Sequence, residues 1–263
     1  MRLYVEVARR AFQRQLAYRT ANLAGFFTNA VFGYFRATII LVFYEGQANV
    51  GGYDLPTALA YTWTTQATLM IIALWGWYDI EETIRTGDVV SDLSKPFSFL
   101  GYWLARDLGR AAYFLLVRCA PLLIVAELVN GIRLPEFPLG WLGWLVSLTL
   151  ACVVSFCGRF LINTSAFWTA DARGIGTIMM GVITMLSGFI VPLQWLPPAI
   201  AQVSLALPFA GMVQTPADVF VGKLQGWDLV AGIGLQAFWT VALLAACQIV
   251  VLLATRRVVA QGG

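Results

Sequence analysis

Six long apolar stretches constrain the fold of this sequence more than any other feature. Each approaches the roughly 20 residues that a helix needs to cross the hydrocarbon core of a bilayer. The chain as a whole is 59% hydrophobic and only 12% charged, far from a soluble composition. The sequence therefore predicts an all-α membrane protein with six transmembrane helices, at about residues 22–44, 57–79, 108–131, 140–163, 174–193 and 229–254.

No segment of ordinary polarity is long enough to form a separate soluble domain, so residues 1–263 are predicted to form a single transmembrane domain. The fifth stretch is the least regular. Four glycines thin its side chains, which favours close helix packing or a break, and Pro192 is expected to end it.

The distribution of basic residues predicts the orientation, because Lys and Arg near the ends of spans are retained in the cytoplasm. With the N-terminus inside, twelve basic residues lie in cytoplasmic segments and only Arg133 and Lys223 lie outside. Arg36, Arg118 and Arg159 fall within spans. This split predicts a multi-pass protein of the cell membrane with both termini in the cytoplasm.

Residues 1–20 have the pattern of an amphipathic helix in the membrane interface. Apolar residues recur every three or four positions with arginines between them, which places a basic face opposite an apolar one. The alternative is a simple positively charged anchor for the first span. The apolar set comprises Leu3, Val7, Ala8, Ala11, Phe12 and Leu16.

The inner segment 80–107 carries most of the charge in the middle of the chain. Gly87 followed by Asp88 is typical of a helix that stops and restarts, and Pro96 closes the segment. A short apolar stripe lies between them. We expect a small amphipathic helix on the cytoplasmic surface, with a solvated connector as the alternative; the stripe comprises Val89, Val90 and Leu93.

The outer segment 191–227 is largely apolar and contains five prolines, unlike a water-facing loop. Pro197 and Pro198 are placed to start a short helix that continues to about Leu205, and residues 209–221 can form a second one before Gly222. Backbone at membrane depth must be covered by protein or line a cavity. The segment is therefore interpreted as a re-entrant hairpin, with two flat interfacial helices as the alternative.

Several kinds of chemistry are disfavoured. The chain has no histidine, its four cysteines lie in apolar runs, and no metal site is expected. The only Gly-Lys pair, Gly222-Lys223, continues with Leu224 and is no phosphate loop. A lipid-modifying enzyme would depend on Asp171 or Asp218, which stand alone in the sequence. We expect no catalytic residue here, and any ATP that is used must bind another chain.

Ionisable groups are costly within a membrane span, and four lie in the predicted spans: Arg36, Arg118, Glu127 and Arg159. Arg36 and Arg118 are the deeper pair, and Arg159 and Asn163 share a helical face near an inner end. Structural pairing and substrate contact are both open for them. No acidic residue falls at mid-membrane in this assignment, which argues against an ion-coupled secondary transporter.

Three short patterns resemble a known family. The first is SGFIVPLQWLP at residues 187–197, followed by Leu207-Pro208-Phe209. The second is Gly87-Asp88 followed by Leu93, Lys95 and Pro96, between spans two and three. The third is the segment 12–19, near the N-terminus. In this order, on six spans, they resemble the membrane subunits of type-2 ABC exporters, particularly the short bacterial permeases that include viologen and drug exporters.

The resemblance implies a permease that pairs with a second permease chain, identical or different, and docks two cytosolic ATPase subunits that hold ATP and magnesium. It implies a hydrophobic or amphipathic substrate and no nucleic-acid partner. A stand-alone carrier or channel and an importing permease are the alternatives. The expected ATPase-coupling residues are Gly87, Asp88, Leu93, Lys95 and Pro96, and the expected outer gate comprises Ser187, Gly188, Pro192, Leu193, Leu196, Pro197, Leu207, Pro208 and Phe209.

Overall fold

Helices make up nearly all of the regular structure. The computed structural model describes residues 1–74, 77–135, 138–169 and 171–261, with the backbone alone for 257–261. Within these ranges there are no strands, which confirms the all-α prediction. The helices are α1 (Arg2–Leu16), α2 (Arg19–Phe43), α3 (Leu55–Ile72), α4 (Asp79–Thr86), α5 (Val89–Leu93), α6 (Phe99–Phe114), α7 (Ala120–Asn130), α8 (Leu139–Thr164), α9 (Ala166–Thr169), α10 (Arg173–Leu186), α11 (Pro198–Ala206), α12 (Gln214–Phe220) and α13 (Gly226–Gln261).

Within the described residues, four helical segments are long and apolar enough to cross a membrane: Arg19–Phe43, Phe99–Asn130, Leu139–Thr169 and Gly226–Arg256. They correspond to the first, third, fourth and sixth predicted spans. The fifth, α10, has 14 residues and extends about 21 Å, which is short of the hydrocarbon core. The second, α3, does not meet the same criterion. Four of the six predicted spans therefore correspond to helices that are long and apolar enough to cross a membrane, and the other two are not confirmed.

Helix α3 lies at the centre of the bundle, with nearly every side chain buried by its neighbours. Its several threonines lower its hydropathy, but Thr62, Thr64 and Thr68 each donate a hydrogen bond to a carbonyl one turn earlier. The predicted end at residue 79 is wrong. The helix ends at Ile72, because Ala73 adopts a left-handed conformation with φ of 51°. Residues 75 and 76 of that predicted span lie outside the described residues.

The fifth predicted span also ends early. Helix α10 stops at Leu186, and Gly188 takes a left-handed φ of 82° two residues later. A Cβ at Gly188 would lie under 3.0 Å from the side chains of Gln214 and Tyr61, so glycine is required there for space as well as conformation. The expectation that Pro192 ends the helix is therefore wrong.

The third span begins earlier than predicted. Helix α6 starts at Phe99, where Ser98 accepts a hydrogen bond from the Gly101 backbone N–H as an N-cap. A π-helical segment, Leu115–Cys119, joins it to α7 without a break. The inner segment is consequently shorter than 80–107, and Asp107 lies inside a long helix instead of in a cytoplasmic loop.

Helix α1 packs along α6. Its half-buried face carries Val7, Ala8, Ala11 and Phe12, so most of the predicted apolar stripe contacts protein, while Leu3 and Leu16 remain exposed. Phe12 meets Tyr113 edge to face, with ring centroids 5.5 Å apart. The interfacial position of α1 remains a prediction.

Gly109 allows the closest approach between these two helices. A Cβ there would lie under 3.0 Å from backbone atoms of Ala8. We expect Gly109→Ala to push α1 away from α6 and to destabilise the protein by roughly 1–3 kcal/mol, as overpacking does. Thermal unfolding in detergent and the rate of tryptic cleavage within α1 measure both effects.

The matched control is Gly181→Ala, since nothing lies within 4 Å of a Cβ at that helical glycine. It should leave cleavage in α1 unchanged and should not lower the melting temperature. Equal behaviour of the two variants would show that α1 does not depend on close packing at Gly109.

Candidate functional site

A buried ion-pair cluster joins the inner halves of α6 and α8. Both carboxylate oxygens of Asp107 accept from the Arg159 guanidinium, at 2.8 and 3.2 Å. One of them also accepts from Arg110 Nε at 2.9 Å. The Asp107 side chain is fully buried. Arg159 therefore has a structural partner, and the acidic group that the sequence assignment placed in a loop is enclosed and paired.

The same cluster holds the inner end of α3. Arg110 donates to the carbonyl of Met70 and, at 2.8 Å, to that of Ile71. Ser155 donates to the carbonyl of Ile72. These are carbonyls of the last helical turn, which lack partners within the helix, and a cation there is favoured by the helix dipole. The end of α3 is thereby fixed to α6 and α8.

Asn163 locks the start of α4 onto α8. Its amide nitrogen donates to the carbonyls of Trp77 and Arg159, both at 2.8 Å, and its amide oxygen accepts from the Glu81 backbone N–H at 3.0 Å. The residue is 1% exposed, so these bonds form away from water. The inner segment is therefore attached to the bundle at its first turn.

The predicted coupling residues lie together beyond this attachment. Helix α4 ends at Thr86, Gly87 adopts a φ of 84°, and α5 starts at Val89, which confirms the predicted stop and restart. Val89 is buried and Leu93 half-buried, whereas Gly87, Asp88, Lys95 and Pro96 are exposed. Lys95 pairs with Asp92 at 2.6 Å. The exposed residues form one continuous stretch of surface on the segment that is predicted to be cytoplasmic.

A second polar network, the outer network, has Gln214 at its centre. The Gln214 oxygen accepts from the Tyr61 hydroxyl at 2.6 Å and from the Leu193 backbone N–H at 2.9 Å. Its nitrogen lies within hydrogen-bond distance of Tyr53, Gln194 and Asp218. Gln214 is 1% exposed. One side chain thus connects α3, the loop after α2 and the outer segment.

Asp218 completes this network. The Tyr53 hydroxyl donates to Asp218 at 2.6 Å, and the Lys223 ammonium lies 3.4 Å from the centre of the Tyr53 ring. Burial raises the pKa of Asp218 above its usual range, although the hydrogen bonds from Tyr53 and Gln214 oppose that shift. The acid that stands alone in the sequence therefore has several polar partners in the fold.

Arg36 attaches α2 to the turn that follows α10. Its guanidinium donates to the Gln66 side chain at 3.1 Å and to the carbonyls of Phe189 and Ile190. It also lies over the Phe189 ring, 4.7 Å from the centroid. These contacts give Arg36 a structural role at the outer segment.

The predicted gate residues differ in burial. Of the nine predicted gate residues, four are buried, four are half-buried and Pro197 is exposed. The Ser187 carbonyl accepts from the Gln214 backbone N–H at 2.9 Å, which brings the two ends of the outer segment together. The predicted short helices occur as α11 and α12. Buried members are Ser187, Gly188, Pro192 and Leu193, and half-buried members are Leu196, Leu207, Pro208 and Phe209.

An open cleft of about 720 Å³ lies beside the outer network. Its walls come from the loop after α2, the segment before α8 and the residues that join α12 to α13. Both basic residues of the outer segments, Arg133 and Lys223, line it, and Asp54 pairs with Arg133 at 3.9 Å. The cleft has a mixed polar and apolar lining, is of ligand size and lies on the face that is predicted to be extracytoplasmic.

Sequence reasoning named Asp218 and Leu193 but missed Gln214, Tyr53 and Tyr61 as members of the outer network. Gln214 and Tyr61 lie 153 positions apart and carry no recognisable spacing. A signal for Gln214 was present, since a glutamine within an apolar outer segment is costly unless it is hydrogen-bonded. Its partners are brought together only by the packing of α3 against α12.

We expect Gln214→Leu to loosen the outer segment. Leucine removes the acceptor for Tyr61 and Leu193 and the donor to Asp218, and each buried polar group left unpaired costs roughly 1–3 kcal/mol. The variant should melt at a lower temperature, and single cysteines placed at the buried positions 201 and 204 should react faster with a maleimide.

Gln225→Leu is the matched control, because Gln225 is exposed in the same segment and its side chain is not part of the outer network. It should leave both measurements unchanged. Wild-type reactivity and melting in Gln214→Leu would show that the outer network does not hold the segment.

Comparison with known proteins gives the family. No curated protein matches the chain, but the model of a family described as ABC-2 family transporter protein matches residues 32–262. The match spans nearly the whole chain, from α2 to the end of α13. It agrees with the apolar helices described above and implies separate ABC ATPase subunits as partners. The chain therefore belongs to the ABC-2 transporter family and is a multi-pass ABC permease.

Proposed function

We propose that this chain is the transmembrane subunit of an ATP-driven exporter that moves a hydrophobic or amphipathic substrate. A second permease chain, identical or different, completes the path, and two cytosolic subunits bind ATP and magnesium. Both termini face the cytoplasm, α3 and α10 complete a set of six spans, and residues 191–227 form a re-entrant outer gate. The family match over residues 32–262 is the observation that carries the proposal.

The attachment of α4 to α8 supports a coupling role for the cytoplasmic segment. Asn163 holds the first turn of α4, and Val89 buries the start of α5. A force applied to the exposed residues from Gly87 to Pro96 would therefore reach α8 and α3 through fixed contacts. Transmission of this kind needs a rigid element, and the buried bonds of Asn163 provide one.

A stand-alone carrier is the second candidate, because Asp107 is a buried acid within a membrane helix. A proton-coupled carrier needs a carboxylate that can take up and release its proton. Both oxygens of Asp107 are held by arginines, which favours a structural role. An importing permease would share the family and these contacts, so transport direction is to be measured in inverted vesicles.

The first test is co-purification. The chain is expressed with its neighbouring genes and isolated in mild detergent, and ATP hydrolysis is measured with and without vanadate. We expect an ATPase subunit to accompany the chain with vanadate-sensitive turnover. Robust transport by this chain alone in liposomes would instead support a carrier or channel.

Gly87→Val tests the coupling segment. Valine at a φ of 84° is strained by about 1–2 kcal/mol, so the angle between α4 and α5 should change. We expect at least a several-fold loss of recovered ATPase, with the permease still monodisperse. Gly46→Val imposes the same strain at a φ of 81° in the outer loop and should retain the ATPase.

Asn163→Leu tests transmission at the next step. Leucine fills a similar volume but breaks three buried hydrogen bonds, so α4 should move independently of α8. We expect ATPase binding to persist while stimulation of hydrolysis by a lipophilic dye is lost. The control is Thr169→Val, which changes an exposed residue just after α8 and should keep full stimulation. Normal stimulation in Asn163→Leu would show that Asn163 is not part of the coupling path.

A further inference from the structure

Arg118 is a buried charge that the described residues do not neutralise. It lies on the π-helical segment between α6 and α7 and is 8% exposed. Within the described part of the chain, no carboxylate lies within 4.0 Å of its guanidinium. Its Nε is buried and has no hydrogen-bond partner among the described residues. An unpaired buried arginine is costly and requires an explanation.

The other two arginines of the predicted spans are satisfied. Arg159 binds the Asp107 carboxylate through two nitrogens, and Arg36 donates to a side chain and two carbonyls. Arg118 instead donates to the Asn22 oxygen at 3.1 Å and lies over the Phe114 ring, 4.9 Å from its centroid. Neither contact neutralises its charge.

The surroundings of Arg118 are shaped to keep the guanidinium in place. A Cβ at Gly25 would lie under 3.0 Å from three guanidinium atoms, so the glycine leaves the space that Arg118 occupies. Asn22, which accepts from Arg118, is itself fixed by bonds to the Gln15 carbonyl and the Tyr113 hydroxyl at 2.8 and 2.9 Å. The charge is therefore held in one position at the junction of α1, α2 and α6.

The position also has a defined depth. Helix α2 begins at Arg19, and Asn22 and Gly25 lie three and six residues further, about 4.5 and 9 Å along the axis. If α2 starts at the cytoplasmic surface, as in the proposed orientation, this depth is the boundary between head groups and hydrocarbon. Arg14 and Arg19 are exposed just outside it and attract anionic lipid to the same place.

We propose that Arg118 binds the phosphate of an anionic phospholipid from the cytoplasmic leaflet, beside Asn22, Gly25 and Phe114. A phosphate oxygen would accept from Nη1, which makes no hydrogen bond to a described residue and, unlike Nε, is not enclosed; the phosphate would neutralise the charge, and the acyl chains would lie along exposed apolar residues such as Leu116. Because Asn22 joins Arg118 to Gln15 and Tyr113, a bound lipid would also steady the docking of α1 on α6.

The test counts bound lipid and measures stability on the full-length chain. Native mass spectrometry in mixed micelles with phosphatidylglycerol should show one tightly bound lipid fewer in Arg118→Met than in the wild type. Phosphatidylglycerol should raise the wild-type melting temperature more than phosphatidylcholine does, and Arg118→Met should lose at least half of that difference. In phosphatidylcholine alone, Arg118→Met should melt no lower than the wild type, since it removes an unpaired charge.

Two further variants distinguish the loss of the lipid site from the loss of a positive charge. Gly25→Ala retains every arginine but displaces the guanidinium, and it should lose the same lipid. Arg133→Met removes an outer, exposed arginine and should keep both the lipid count and the thermal response.

Three results would overturn the proposal. One is an unchanged lipid count in both Arg118→Met and Gly25→Ala. Another is a melting temperature that falls equally in both lipids in Arg118→Met, which would indicate a purely structural arginine. The third is an equal stabilisation by inorganic phosphate without lipid, which would identify a soluble anion as the ligand. None of these readouts depends on an ATPase partner, so they are separate from the tests of exporter function.

Discussion

The pairing of Asp107 with Arg110 and Arg159 is the interaction on which the bundle depends. A helix that ends inside a low-dielectric interior leaves carbonyl groups without partners, and these must be bonded or hydrated. Helix α3 ends in this way, and Arg110 satisfies two of its terminal carbonyls. Arg110 can be buried there because Asp107 neutralises it, and Asp107 is in turn held by Arg159. One ionic cluster therefore lets the central helix end at Ile72.

The outer end of α3 is fixed on the same principle with neutral groups. Tyr61 donates to Gln214 and lies at hydrogen-bond distance from the Gly188 carbonyl, so the residues after α10 and the start of α12 are tied to the central helix. Arg36 adds α2 to this assembly through the next two carbonyls. A shift of α3 along its axis would consequently disturb the inner and outer networks together. This mechanical continuity is what an alternating-access permease requires.

The sequence predicted the elements well and their ends poorly. Apolar length locates the four long helices, although the third begins nine residues earlier than predicted, and the helix break at Gly87 follows from local chemistry. The ends of α3 and α10 were wrong because they are set by tertiary contacts. Arg110 stabilises the early end at Ile72, and the space beside Gln214 admits only the glycine at 188. Asp107 was misplaced for the same reason, since its partner Arg159 is 52 positions away.

Arg36, Arg118 and Arg159 form one class by sequence, each a costly charge within a predicted span, and the fold separates them. Arg159 meets a carboxylate and Arg36 meets carbonyls, so both charges are used to fasten helices. If Arg118 also served only to hold helices together, it should have similar partners. The free-energy cost of burying an unpaired guanidinium exceeds the stabilisation that its packing contributes. Arg118 has the space beside Gly25 and one hydrogen bond to Asn22, but no carboxylate of the described residues pairs with it. At the depth proposed for the first turns of α2, the lipid phosphates are the nearest anions outside the chain that would neutralise it.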